Sequence, residues 1–259
     1  MLKGIFDSHA HYDDERFAGE TDAVLRSLKE RGVERVVNIG CDRQSSRNSV
    51  LLAEQFGFVW AAVGIHPHSA TELDGDALEE LRRLAAHPRV VAIGEIGLDY
   101  HYDFSPREIQ IQAFERQLTL ANELDLPVVI HTREATEPTL ELLRRYRPRG
   151  VVHCFTGSRE VAREILSLGM YLGYTGAVTF KGAKRVVGSV EATPLDRLLL
   201  ETDCPYMAPV PYRGQRCESW MIAQTAQKIA EIKGMEPQDV IDRAYRNTCE
   251  LFRIPDQID

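Results

Sequence analysis

The chain has 259 residues, 44% hydrophobic and 27% charged, an ordinary globular balance in a length that buries a core without covalent staples. A formal net charge of -8 argues against coating nucleic acid through a broad basic surface, and no run of about 18 apolar residues offers a membrane span. Five cysteines without a CxxC pair suit a reducing compartment, and no basic stretch followed by an apolar one opens the sequence, so a cytoplasmic location is expected.

Short apolar runs alternate with amphipathic helical segments. The first strand is expected at 4–8 (GIFDS), with a helix near 21–31 after it. Strands at 34–40 (ERVVNIG) and 58–64 (FVWAAVG) flank a helix at 43–56, and a helix at 75–86 leads to the strand 90–94 (VVAIG). The next helix, 106–125, opens on Ser105-Pro106-Arg107-Glu108, read as a hydroxyl N-cap, a proline at the first helical position and a capping-box glutamate. Strands at 127–131 (PVVIH), 150–154 (GVVHC), 170–175 (MYLGYT) and 197–202 (RLLLET) follow, separated by helices at 134–145, 158–168 and 180–191. Helices at 216–233 and 237–252 come last. Gly32, Gly57, Gly169 and Gly234 stand where left-handed C-caps are expected.

These strands are rich in Val, Ile and Leu with little alternation, as in parallel strands buried on both faces. Eight strand–helix units in a chain of this length predict a (β/α)8 barrel, one domain over 1–259 with an extra C-terminal helix. A doubly wound open sheet would carry a glycine-rich first turn. The first strand ends instead in Asp-Ser-His-Ala-His.

Residues able to bind metal fall at the C-terminal ends of the strands. His9 and His11 follow the first strand, His66 the third and Glu95 the fourth; His131 closes the fifth, His153 lies in the end of the sixth, and Asp203 follows the eighth. In a barrel these ends converge on one face. His9 and His11 are two apart, so in extended backbone both imidazoles point to one side. Imidazoles mixed with carboxylates suit Zn, Mn or similar cations, and the two oxygens of Glu95 can bridge a pair of ions. Such pairs sit roughly 3.5–4 Å apart and generate hydroxide at neutral pH. A lone histidine at a strand end is more often a hydrogen-bonded structural residue. Six ligand-type residues on five strands of one face point to metal. Cys154 and Cys204, adjacent to His153 and Asp203, are expected to face the helical shell as buried thiols. His87 reads as structural, while His101 and Asp103 are open to either reading.

The stretches Phe6-Asp7-Ser8-His9-Ala10-His11, Val63-Gly64-Ile65-His66-Pro67-His68, Gly94-Glu95-Ile96-Gly97-Leu98-Asp99-Tyr100, His131-Thr132-Arg133-Glu134-Ala135, His153-Cys154-Phe155-Thr156-Gly157 and Glu201-Thr202-Asp203-Cys204-Pro205-Tyr206 resemble the TatD family of metal-dependent deoxyribonucleases, within the amidohydrolase-like barrels. They occur in family order from residue 6 to about 252. The resemblance implies that His9 and His11 hold one cation, Glu95 bridges, His131 and His153 hold the second, and Asp203 serves the first site and proton transfer. A glutamate after the fourth strand also sets this family apart from relatives that bridge with a carboxylated lysine. One stretch departs: where the family often has Tyr-Arg-Gly-Lys-Arg-Asn-Glu-Pro, this chain has Tyr212-Arg213-Gly214-Gln215-Arg216-Cys217-Glu218-Ser219. The ligands are untouched, and the change bears on substrate preference.

The resulting expectation is phosphodiester hydrolysis with two divalent cations (Zn, Mg, Mn, Co or Ni), hydroxide attacking phosphorus and Asp203 handling the proton. Arg133, Lys181, Arg213 and Arg216 all follow strands on the metal-bearing face; Arg133 and Arg213 are expected at phosphate, with His66 near the substrate or orienting a ligand. Tyr100 and Tyr206 are candidates for stacking on a base or sugar. DNA ends or another phosphodiester are the expected partner, with single-stranded or frayed ends favoured. The alternative is a bimetal amidohydrolase acting on a small amide, lactone or deaminase substrate.

Overall fold

The computed structural model describes residues 2–256. Its strands are β1 (Ile5–Ala10), β2 (Val33–Ile39), β3 (Val59–Val63), β4 (Val90–Asp99), β5 (Val128–Arg133), β6 (Gly150–Val152), β7 (Tyr171–Tyr174) and β8 (Leu198–Leu200). They form one eight-stranded sheet in chain order, and Ala10 bridges in parallel to Cys204, just past β8. The helices are α1 (Thr21–Leu28), α2 (Arg43–Gln55), α3 (Gly75–Ala85), α4 (Arg107–Leu124), α5 (Thr136–Tyr146), α6 (Arg159–Ser167), α7 (Lys184–Ala192), α8 (Ile222–Lys233) and α9 (Pro237–Phe252). This alternation is the (β/α)8 barrel fold. β1 and β4 are buried along their whole length, as parallel strands covered on both faces must be.

Contacts group the chain into two compact units. One holds β1, most of β2, β7, β8, α1 and α6 to α9; the other holds β3 to β6 and α2 to α5. In the first, α9 is the helix beyond the eight repeats and packs on β1 and β8 through Val240, Ile241, Ala244, Leu251 and Phe252. In the second, two buried glutamines of α4 hold the backbone at two strand ends. Gln117 accepts from the Ile65 N–H (2.8 Å) and donates to the Ile65 carbonyl (3.0 Å). Gln110 does the same to Asp99, at 2.8 and 3.1 Å. Each amide side chain satisfies one N–H and one carbonyl of the backbone at a strand end.

β4 is longer than its apolar run because pairing continues past Gly94. Its register with β5 shifts between Ile93 and Ile96, so Ile93 faces Val128 while Ile96 faces Ile130. Such a bulge re-aims the side chains within it, and Glu95 is one of them. Beyond it Gly97 has φ 144°, and a Cβ there would run into the His131 carbonyl. Gly97→Ala is therefore expected to cost at least about 2 kcal/mol, a Tm lower by roughly 5 °C or more. An unchanged melting curve would refute this close approach.

Two terminal signals fail for local reasons. α4 starts at Arg107 with no side-chain cap, because the Ser105 hydroxyl donates to the His68 carbonyl instead (3.0 Å). Gly57 is not left-handed, since α2 ends through Phe56 in extended backbone; Gly32, Gly169 and Gly234 do adopt positive φ.

Candidate metal centre

Each unit gathers one triad of the expected ligands. In the first, His9 is buried inside β1 and His11 lies one residue past its end, so the extended backbone turns both rings to one side. Their Nε2 atoms are 3.1 Å apart. The Asp203 N–H donates to the His9 carbonyl and the His11 N–H to the Cys204 carbonyl, both at 2.9 Å, which registers the two segments. Asp203 adopts φ 60°, a left-handed conformation that aspartate tolerates, and its Oδ1 stands 3.4 Å from His11 Nε2 and 3.7 Å from His9 Nε2. Beneath lies Asp7, fully buried, accepting from the N–H groups of His9 and Thr202 and from the Thr202 and Ser219 hydroxyls. Burial pushes its carboxyl up to about 6, against the pull of those hydrogen bonds.

The second unit builds its triad around Glu95. Its Oε1 is 2.7 Å from His153 Nε2 and 3.0 Å from His131 Nδ1, and those two nitrogens are 3.4 Å apart. The other nitrogen of His131 meets Asp99 Oδ2 at 3.0 Å. Burial works against ionisation of Asp99, but hydrogen bonds from His131, the Tyr102 N–H and His68 hold its carboxyl well below the usual carboxylate range. Burial likewise works against the His131 cation, yet Asp99 and Glu95 on its two sides push it up to about 9.

His66 is the third imidazole near Glu95, Nε2 to Oε1 3.6 Å. Burial drives its pKa well below the usual value, so it is neutral. Its Nδ1 accepts from the His68 N–H (3.1 Å), which leaves the proton on Nε2. His66 thus directs its Nε2 toward Glu95 at a distance longer than a hydrogen bond, and with Glu95 and His131 it forms a further group of converging donor atoms.

These spacings suit a cation. Nitrogen and oxygen ligands at about 2.0–2.2 Å from a tetrahedral or octahedral ion lie roughly 3–3.5 Å from one another. His9, His11 and Asp203 form one group of converging donor atoms with separations of 3.1 to 3.7 Å, and His131, Glu95 and His153 lie somewhat closer together, at 2.7 to 3.4 Å. The Asp99–His131 pair is the carboxylate–histidine arrangement that orients a ligating ring. A divalent ion binding at His131 must displace its proton, so affinity is expected to rise as pH increases toward about 9 and then level off. Calorimetric titration at pH 7 in buffers of different ionisation enthalpy should count about one proton released per ion at this cluster; a count of zero would contradict the protonated His131.

The remaining sequence expectations fare unevenly. Arg133 is exposed at the end of β5, its guanidinium 4.8 Å from the Tyr102 ring, and Arg213 is exposed over Phe180 at 3.9 Å. Arg216 is turned inward onto Glu20 (2.9 Å) and the Arg16 carbonyl, so its charge is already engaged. His101 pairs with Glu134, Asp103 with Arg107 and His87 with Glu54. Cys204 is buried as expected, and burial pushes its thiol up to about 12. Cys154 differs: β6 stops at Val152, so strand alternation does not reach it, and its thiol is half-buried beside the Thr175 hydroxyl. Sequence reasoning missed Asp99 and also Cys41, whose Sγ lies 3.6 Å from Glu95 Oε2. Neither residue carried a local signal, since the bulge of β4 that sets the direction of Asp99 is a relation between two strands.

Imidazole and carboxylate donors at cation spacing, set at the strand ends of a barrel, are the equipment of a metal-dependent hydrolase. The family profile described as TatD related DNase matches residues 6–253. The chain belongs to that family. It is 42% identical over 253 residues, 96% of this chain and 99% of the other, to a Bacillus subtilis protein named uncharacterized metal-dependent hydrolase YabD. It is 37% identical over 262 residues, 97% of this chain and 100% of the other, to an Erwinia billingiae protein named 3'-5' ssDNA/RNA exonuclease TatD. The crystal structure of YJJV, a TatD homolog from Escherichia coli, superposes with a TM-score of 0.92 at 30% identity, covering 98% of this chain and 100% of that one. None of the helices among the described residues is long and apolar enough to cross a membrane.

Proposed function

We propose that this hydrolase cleaves phosphodiester bonds at the ends of single-stranded nucleic acid, with one divalent cation at each triad. The observation that carries the reading is the pair of triads, each with three donors at ligand spacing. The Erwinia relative's name supplies the substrate class and a 3'-5' direction.

Divalent cations, when bound, supply activated water at neutral pH and neutralise charge building on the phosphoryl oxygens. The side chains do the rest. Glu95 would hold a cation together with His131 and His153. Asp203, half-buried at the edge of its triad, takes the proton of the attacking water and returns it to the leaving oxygen. His66, neutral and 3.6 Å from Glu95, lines the same cluster within reach of a bound phosphate. Arg133, exposed at the end of β5, and Arg213, exposed in the loop after β8, contact phosphate through their planar forks. A net charge of -8 fits local contact with a strand end better than a long duplex groove.

The test is metal-stripped protein on 3'- and 5'-labelled single-stranded DNA and RNA, each of Zn, Mg, Mn, Co and Ni restored in turn, beside a panel of amides and lactones. Stepwise loss of nucleotides from the 3' end, dependent on the added ion, is expected. Turnover of an amide or lactone with intact oligonucleotides would overturn the phosphodiester reading.

A further inference from the structure

Among the described residues the exposed large hydrophobics are few: Leu51, Tyr102, Phe104, Tyr206 and Val210. Tyr102 and Phe104 stand together in the loop between β4 and α4, 48% and 68% exposed. A phenylalanine that open is unfavourable in water unless something covers it. The two rings are nearly parallel, 20° between planes with centroids 5.2 Å apart. His68 packs edge-on against both, at 5.4 Å from Tyr102 and 4.8 Å from Phe104.

This pair is tied to the Glu95 cluster through one carboxylate. Asp99 Oδ2 meets His131 and His68, at 3.0 and 3.1 Å, while its Oδ1 accepts from the N–H groups of His101 (3.0 Å) and Tyr102 (2.9 Å). The group that orients a ligating ring therefore also fixes the backbone of Tyr102 and the imidazole beneath the stack. The guanidinium of Arg133 lies over the Tyr102 ring, 4.8 Å from its centroid, and among the described residues no carboxylate pairs with it. Arg107, by contrast, is held by Asp103 and lies over Tyr100.

We propose that Tyr102 and Phe104 form a stacking platform for one base of a single-stranded nucleic acid, with Arg133 taking the adjoining phosphate. The inference rests on the nuclease reading and names the residues that grip its substrate; of the aromatics singled out from sequence, Tyr100 is half-buried beneath Arg107, and the Tyr206 hydroxyl donates to Asp14. Every base has a π face, so such a platform accepts any sequence, and an unpaired guanidinium beside it selects a polyanion over a neutral aromatic.

The test compares the wild type, Phe104→Ala and Phe104→Trp on oligonucleotides carrying either a base or an abasic analogue at the two terminal positions. Phe104 is mostly exposed, so truncation leaves the core intact. Phe104→Ala should raise KM by roughly 5- to 100-fold on the base-bearing substrate and leave the abasic one unchanged, and Phe104→Trp should restore wild-type KM. Equal losses on both substrates, or no loss, would overturn the platform. Anisotropy of a fluorescein-labelled single-stranded oligonucleotide, measured with metal-loaded protein on an Asp203→Asn background so that the probe survives, separates the two readings. Binding that depends on Phe104 without any wild-type cleavage removes the nuclease reading and keeps the platform. Cleavage with Phe104-independent binding does the reverse, and absence of both refutes both.

Discussion

Glu95→Gln is expected to lower hydrolysis about 10³-fold and to empty the cluster it centres. The substitution keeps the shape of the side chain and removes only its charge. Three imidazole nitrogens lie within 2.7 to 3.6 Å of Glu95 Oε1, two of them from the ring donors assigned to a cation. A neutral amide cannot balance a divalent ion there, and its NH2 group presents hydrogens where a ligand needs a lone pair. The amide also ceases to accept charge-assisted hydrogen bonds from His131, so that ring should lose its proton at lower pH than in the parent. Elemental analysis should find at least one equivalent of metal missing, and NMR titration of the metal-free protein should show the His131 shift. A variant with full metal content and full activity would remove Glu95 from the centre.

Asp203→Asn separates holding an ion from moving a proton. Asparagine tolerates the left-handed backbone at φ 60°, and the backbone hydrogen bonds to His9 and from Tyr206 do not involve the side chain. Alanine would remove both roles at once and is the poorer test. The amide oxygen still faces His9 and His11 but the negative charge is gone, so Tm should stay close to the parent value while metal binds more weakly at this triad, and turnover is compared at saturating ion. Turnover should fall by about 10²–10⁴-fold, the usual contribution of a positioned base. The limb of the pH–rate profile that reports the base should vanish with it. Parental turnover in this variant would assign proton transfer elsewhere, and loss of metal would make Asp203 a ligand above all.

The structure also places limits on what patterning reveals. β1, β5 and α9 were visible because their apolar periodicity is carried by neighbouring residues, and α9 occupies Pro237–Phe252 as expected. His9 and His11 were legible as a pair for the same reason, because two residues of extended chain return to one side. Asp99 was not. Its direction depends on a bulge that β4 makes against β5, and a bulge is a relation between two strands. Ser105 looked like a helix cap but found the His68 carbonyl, a partner 37 residues away that local rules do not see. His66 could be placed after β3 from sequence, yet which of its nitrogens carries the proton followed only from the hydrogen bond of the His68 amide.

What the amino-acid order determined by itself was the alternation of strand and helix, and with it the strand ends at which imidazoles and carboxylates must appear. Those features depend on periods of two and 3.6 residues, which a single segment carries complete. The tertiary structure alone decided the protonation of His131, the neutrality of His66 and the exposure of Tyr102 beside Phe104. Each of these is set by burial and by charges brought from distant parts of the chain, quantities that exist only after folding.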